Sequence, residues 1–246
     1  MHVKDQRAFG IKTLVEDKIL ECDAVATELN LNQLTMNVSE DTMDLPEGKT
    51  LQSILSPKAY KKIDNLLFKQ TGLRLHLFNT SLPMFISNVL AESILAKEMP
   101  YSLDQSIWNF AQEQEKYTLG IETFEEQIAV LKTITIDQQV KGLLAIAKNF
   151  KSFRKQTLKI VEIYQTGNIQ AIFKHTKKGA KGMRKIMLYN RNIIMADRIS
   201  EIIQEQTTFC AIGASHLGGK KGVLNLLKQD GFKIKPVHAS DLFSKN

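Results

Sequence analysis

The stretch from Thr208 to Val237 constrains this chain more than any other. Thr208-Phe209-Cys210-Ala211-Ile212-Gly213 reads as a buried strand, a glycine-bearing turn follows, and Val223, Leu224, Leu226 and Leu227 fall on a helix. Asp230-Gly231 closes that helix, and Phe232-Lys233-Ile234-Lys235-Pro236-Val237 is the next predicted strand. Strand, helix and strand at this spacing make a βαβ unit, which demands parallel pairing and a right-handed crossover. The expected class is α/β, with ligands collecting at the carboxyl end of the strands.

The other end follows the same pattern. Phe9, Leu14, Val15, Ile19 and Leu20 have a roughly helical spacing that stops at Glu21-Cys22-Asp23, and Ala24–Leu29 then reads as a short buried strand. His2 precedes this helix and strand just as His216 precedes the pair at the far end. Both histidines therefore stand where a strand hands over to a helix, the first of those strands being expected upstream of Met1. Two such histidines can converge across neighbouring strands.

Between the ends the character changes. Asp41 to Lys49, with Pro46 and Gly48, marks a loop. From about Leu51 to Gly167 the pattern is helical: Ile86, Val89, Leu90 and Ile94 share one face after Pro83, as do Val140, Leu143, Leu144, Ala147 and Phe150. Ser102-Leu103-Asp104 opens another helix, and Thr123 with Glu126 forms a capping box. Five or six helices are expected there, interrupted by one short candidate strand, Tyr117–Glu122. Arg191 to Gln204 is helical with Ile194, Met195, Ile199 and Ile202 inward. The fold predicted is one α/β domain over residues 1–246, a small parallel sheet built from both chain ends, with a helical insertion over 51–167.

Composition agrees. In 246 residues, 43% hydrophobic and 24% charged content excludes a disordered, collagen-like or coiled-coil chain. No apolar run approaches the roughly 18–20 residues of a membrane-spanning helix, and Met1–Asp5 is polar from the outset, unlike a signal peptide. Two cysteines, Cys22 and Cys210, make no disulfide framework, and Cys210 is expected to act as a small apolar residue. The net charge of +7 is concentrated in the tract from Lys174 to Lys185, six Lys/Arg in twelve residues. Without aromatics for base stacking it does not read as a nucleic-acid site, and its glycines suggest a solvated loop. Lying shortly before Arg191, it also suits a positive rim to a pocket.

Short motifs decide little. His-Glu-x-x-His, Cys-x-x-Cys and Gly-x-Ser-x-Gly are absent. Gly213 to Lys220 resembles a phosphate loop, but its lysine sits one place late and Lys221 stands where a magnesium site wants Ser or Thr. What remains is a His/Glu constellation: His2, Glu28 and His216, with Glu122 as a possible fourth member. Two imidazoles and a carboxylate leave an open position for water or substrate on a catalytic metal. Glu28 is the odd residue, a carboxylate in an otherwise apolar strand. Its plain alternative is a strand end facing solvent.

These residues carry a family resemblance. Gly213-Ala214-Ser215-His216-Leu217, followed by Gly222, Leu226-Leu227, Gly231-Phe232, Ile234 and Pro236-Val237, resembles the TraB/GumN family. So do Leu103-Asp104, Gly120-Ile121-Glu122-Thr123 with Glu126-Gln127, and Asn190-Arg191-Asn192 with Met195-Ala196. That family includes the animal Tiki metal-dependent peptidases and bacterial pheromone-shutdown proteins, and is distantly related to erythromycin esterases and ChaN haem-binding lipoproteins. Its pattern has two Gly-x-x-His motifs. The second is intact at Gly213–His216, whereas only Met1-His2 stands for the first, as in a chain truncated at its N-terminus.

The resemblance implies a metal-dependent hydrolase, most plausibly a peptidase, with His2, Glu28 and His216 holding Mn, Co or Zn. Gly213, Ser215 and Gly218 would shape the site loop. Glu122 matches a Leu-Glu-Thr element and would act as general base. Arg191 matches the arginine of a Glu-Arg-Asn element, with Asn190 in place of the glutamate, and would stabilise an oxyanion or orient a carboxylate. The competing expectation is a non-enzymatic haem- or metal-binding protein of ChaN type. Peptide or small-molecule substrates, no nucleic-acid partner, and an exported or membrane-anchored location through a missing N-terminal segment also follow from the resemblance. Plainer roles stand beside these: Arg191 fixing its helix by pairing with a carboxylate, Glu122 capping the helix at Thr123. His76, His175 and His238 are expected at the surface or in packing, and Trp108, Phe110 and Phe124 in the core.

Overall fold

The computed structural model describes residues 3–32, 43–179 and 182–237. Its centre is a three-stranded parallel sheet: β1 (Ala24–Leu29) lies between β2 (Tyr117–Glu122) and β3 (Thr208–Ala211). In register, Ala26 faces Leu119 on one side and Cys210 on the other. β1 needs no polar face because it is covered on both: Ala24, Val25 and Ala26 are wholly buried. Alternation sends Val25 into a cluster with Ile19 and Ala111, and Ala26 into one with Met195, Ala196, Ile199, Val223 and Leu227.

Helices α1 (Lys12–Leu20) and α5 (Leu103–Glu113) form the first of these layers. The long C-terminal-half helix, Arg191–Glu205, and the short one at Val223–Gln229 form the second. Between β1 and α5 come α2 (Leu51–Ile54), α3 (Pro57–Thr71) and α4 (Pro83–Glu92); after β2 come α6 (Phe124–Lys132), α7 (Ile136–Lys148), α8 (Phe150–Gln165) and α9 (Ile169–Gly179). A separate apolar core, including Leu51, Ile63, Leu67, Ile86, Leu90 and Leu143, holds α2, α3, α4 and α7 together. Local signals set these boundaries. Ser102 caps α5, and Thr123 and Glu126 make both bonds of a capping box on α6. Trp108 is buried in α5, its indole N–H reaching Asn32. No helix of the described residues is long and apolar enough to cross a membrane.

The structure departs from the sequence reading in several places. Phe232–Val237 is not a strand; Ile234 and Val237 are exposed. A strand exists only through pairing with another strand, and among the described residues none pairs with this segment, whose first N–H turns back to the Leu227 carbonyl instead, so the expected C-terminal βαβ unit is absent. The parallel pairs join β1 to β2 and to β3 instead, across long crossovers. The basic tract is largely helical rather than a loop: α9 runs through Gly179, and Lys185–Asn190 forms a π-helical turn leading straight into Arg191. Ile169, Ile172 and Phe173 give α9 an apolar side that outweighs the glycine. On the helix from Arg191, Ile194 faces outward at 41% exposure, while Asn192, Met195, Ala196 and Ile199 are buried. Seven α-helices, α2 to α8, lie between 51 and 165, against the five or six expected. Part of the expected loop, residues 41–42, lies outside the described residues.

Candidate active site

Three strand ends deliver the site. Glu28 comes from the end of β1, Glu122 from the end of β2, and the turn after β3 carries Gly213 and, on a single helical turn (α11, Ala214–Leu217), His216. The first turn of α10 (Arg191–Glu205) brings Arg191 and Asn192 to the same edge. The π-helical turn before it is a departure that recurs at functional sites.

Arg191 is the hub. Its Nε donates to Glu122 Oε1 at 2.9 Å and its Nη2 to Glu122 Oε2 at 2.5 Å, while Nη2 lies 3.5 Å from Glu28 Oε2. Gln127 donates a further bond to Glu122 Oε2 at 3.1 Å. The Glu122 side chain is only 3% exposed and that of Arg191 12%. Burial opposes the guanidinium's charge, but Glu122 and then Glu28 outweigh it, and the Arg191 pKa is raised. Glu122 does not cap α6; Thr123 and Glu126 do that. Arg198 grips Glu126 with two bonds, at 2.6 and 2.7 Å, and donates to the Ile121 carbonyl at 2.8 Å, fixing the end of β2.

Glu28 is more open, at 30% exposure, yet far from unpartnered. Its Oε1 accepts the Gly213 backbone N–H at 2.7 Å and lies 3.8 Å from His216 Nε2. The other nitrogen of that ring, Nδ1, meets Asn192 Oδ1 at 2.6 Å, and Asn192 Nδ2 donates to the Lys221 carbonyl at 2.6 Å. His216 is buried, which lowers its pKa and favours the neutral ring, partly offset by Glu28. With that ring neutral, Glu28, Glu122 and Arg191 together carry one net negative charge.

The glycines follow from close approach. A Cβ on Gly213 would sit 2.9 Å from Glu28 Oε1. On Gly218 it would meet Phe173 Cβ at 2.9 Å, and on Gly219 the Phe173 ring at 2.5 Å, so α9 seals the turn from behind. Ser215 is half-buried and makes no hydrogen bond to the site groups among the described residues. His2 and His238 lie outside the described residues. His76 is exposed, and His175 meets the Gln156 carbonyl at 3.1 Å.

Among the described residues no group of three or more His, Cys, Asp or Glu side chains is gathered to hold a metal ion. His216 and Glu28 offer two donors. Ligand bonds of about 2.0–2.2 Å place two donors of one ion roughly 3–3.5 Å apart, a few tenths of an ångström inside the gap of 3.8 Å. Donor type and net charge fit a cation. Sequence reasoning gave no role to Asn192 or Gln127, although both stand in the segments that carry the family resemblance; only their bonds to His216 and Glu122 reveal one.

Comparison with known proteins places the chain in a family. Residues 1–236 match the TraB/PrgY/gumN family, and the chain belongs to it. It is 24% identical to Metalloprotease TIKI1 of Danio rerio over 275 residues, 89% of this chain and 56% of the relative. It is 22% identical to Metalloprotease TIKI2 of Xenopus tropicalis, covering 91% of this chain and 54% of that protein. Metalloprotease TIKI2 of Danio rerio is 24% identical over 87% of this chain and 52% of its own length. The chain thus spans about half the length of the curated relatives it matches. No solved structure matches it.

Proposed function

We propose that this member of the TraB/PrgY/gumN family is a metal-dependent peptidase centred on the gap between His216 and Glu28. The observation that carries the reading is this facing pair: an imidazole and a carboxylate 3.8 Å apart, in a cluster whose two carboxylates outnumber its one guanidinium. A third ligand is needed, and His2 is the residue we assign to it. A divalent ion held there, Mn, Co or Zn, would polarise a peptide carbonyl and make water nucleophilic near neutral pH.

The chain's own residues prepare that chemistry. The Gly213 N–H holds Glu28 in place, and Arg191, locked by Glu122, which Gln127 holds in turn, stands beside it to take an oxyanion or a substrate carboxylate. Glu122 works here as the anchor of Arg191; acting as general base requires that it first let go of the guanidinium. Peptide rather than nucleic-acid substrates, and an exported or membrane-anchored location, belong to the same proposal and rest on the family resemblance.

The test is hydrolysis of a peptide library, followed by mass spectrometry, with Mn²⁺, Co²⁺ or Zn²⁺ added or with chelator. Cleavage that needs metal and is lost in His216→Ala is the expected result. Cleavage indifferent to both overturns the reading. A Soret shift on adding haem, lost in His216→Ala and without peptide cleavage, would favour a haem-binding protein instead.

A further inference from the structure

We infer that Asn192 is a positioning residue that holds His216 as its Nδ1–H tautomer, so that Nε2 presents a lone pair to the gap beside Glu28. The argument is one of donors and acceptors. The Lys221 carbonyl can only accept, so the Asn192 atom 2.6 Å from it must be the amide nitrogen. That orientation turns Oδ1, which can only accept, toward His216 Nδ1 at 2.6 Å. Nδ1 must therefore carry the hydrogen. Flipping the amide would set two carbonyl oxygens face to face at 2.6 Å, so the backbone at Lys221 decides the orientation.

With the single hydrogen of this tautomer held on Nδ1, Nε2 has none to give. Across 3.8 Å it faces Glu28 Oε1, an acceptor already taking the Gly213 N–H. Two acceptors confront one another with no proton between them, an arrangement that a cation relieves and a proton on Nε2 would spoil. Asn192 is wholly buried and adjacent in sequence to Arg191, so one turn of α10 fixes the orientation of the imidazole and supplies the guanidinium.

This inference rests on the metal-centred reading for its purpose, but its test does not. Long-range ¹H–¹⁵N spectra of the chain, with His216 assigned through His216→Ala, report which ring nitrogen is protonated. We expect Nδ1–H in the unmodified chain and a mixture or Nε2–H in Asn192→Ala. Zn²⁺ affinity by calorimetry should fall about 10–100-fold in Asn192→Ala, as when a ligand's outer hydrogen-bond partner is lost. An Nε2–H signal in the unmodified chain overturns the inference even if Asn192→Ala fails to fold; so does an Nδ1–H signal undisturbed in a folded Asn192→Ala. Nδ1–H in the unmodified chain with no Zn²⁺ binding upholds the hold of Asn192 on His216 and overturns the metal reading.

Discussion

Gly213 has no side chain because Glu28 occupies its place: the carboxylate takes the Gly213 N–H at 2.7 Å and would stand 2.9 Å from any Cβ there. With φ at −56° the backbone itself would accept another residue. The contact is thus a matter of room at the site. Gly213→Ala should push Glu28 away from His216, abolishing most of the metal-dependent cleavage proposed above while the melting temperature changes little. Equal activity in the variant would show that the position of Glu28 is immaterial.

The buried pair of Arg191 and Glu122 makes a different prediction. Removing one partner leaves the other charge buried without compensation, which costs about 3–5 kcal/mol. Urea unfolding of Arg191→Ala should show a loss of that size. Arg191→Met combined with Glu122→Leu should recover much of it, because no charge is stranded. If the double variant were as unstable as the sum of the single ones, burial of an unpaired charge would not be the cause.

Acid should act through Glu126. Arg198 lowers its carboxyl from 4.5 to about 2, chiefly by hydrogen bonding. A folded-state pKa below the unfolded one stabilises above the unfolded value, and that stability is lost as pH falls from about 4.5 through 2. Both side chains are about a third exposed, so solvent screening limits the loss to about 1 kcal/mol or less. Stability followed by urea between pH 6 and 2 should be less steep in Glu126→Gln; an unchanged slope would remove this pair from the acid response.

Gly219 combines two constraints, a φ of +85° and the Phe173 ring 2.5 Å from any Cβ. Gly219→Ala should destabilise by about 1–3 kcal/mol through backbone strain and overpacking. Pairing it with Phe173→Leu should return only the packing part. Full recovery would mean that the backbone strain is negligible.

How far the sequence revealed all this depends on the range of the forces involved. The Thr123–Glu126 box, the Ser102 cap and the apolar strands β1, β2 and β3 are written in neighbouring residues, and they stand where expected. Phe232–Val237 has the local pattern of a strand but no partner among the described residues, and pairing is not a local property. α9 was obscured by its lysines and Gly179, while Phe173, packed on a turn some 45 residues later, is what its apolar side serves. At the site, Glu28 stood out as a carboxylate in an apolar strand and His216 by its place between strand and helix, while Arg191 and the role of Glu122 came from the family resemblance. Asn192 was not, because an asparagine in a helix is unremarkable until a histidine 24 residues away is seen to lean on it.

The middle position of β1 has a consequence for how the protein is made. Glu28 leaves the ribosome before its partners: the backbone amide that steadies it arrives 185 residues later, and His216 three after that. Both flanking strands must cross long stretches of chain before they pair, which makes sheet closure a slow, late event. Glu28, Gly213 and His216 come together only when β3 docks beside β1, so on the reading proposed above the carboxylate and the imidazole stay apart until that pairing is made.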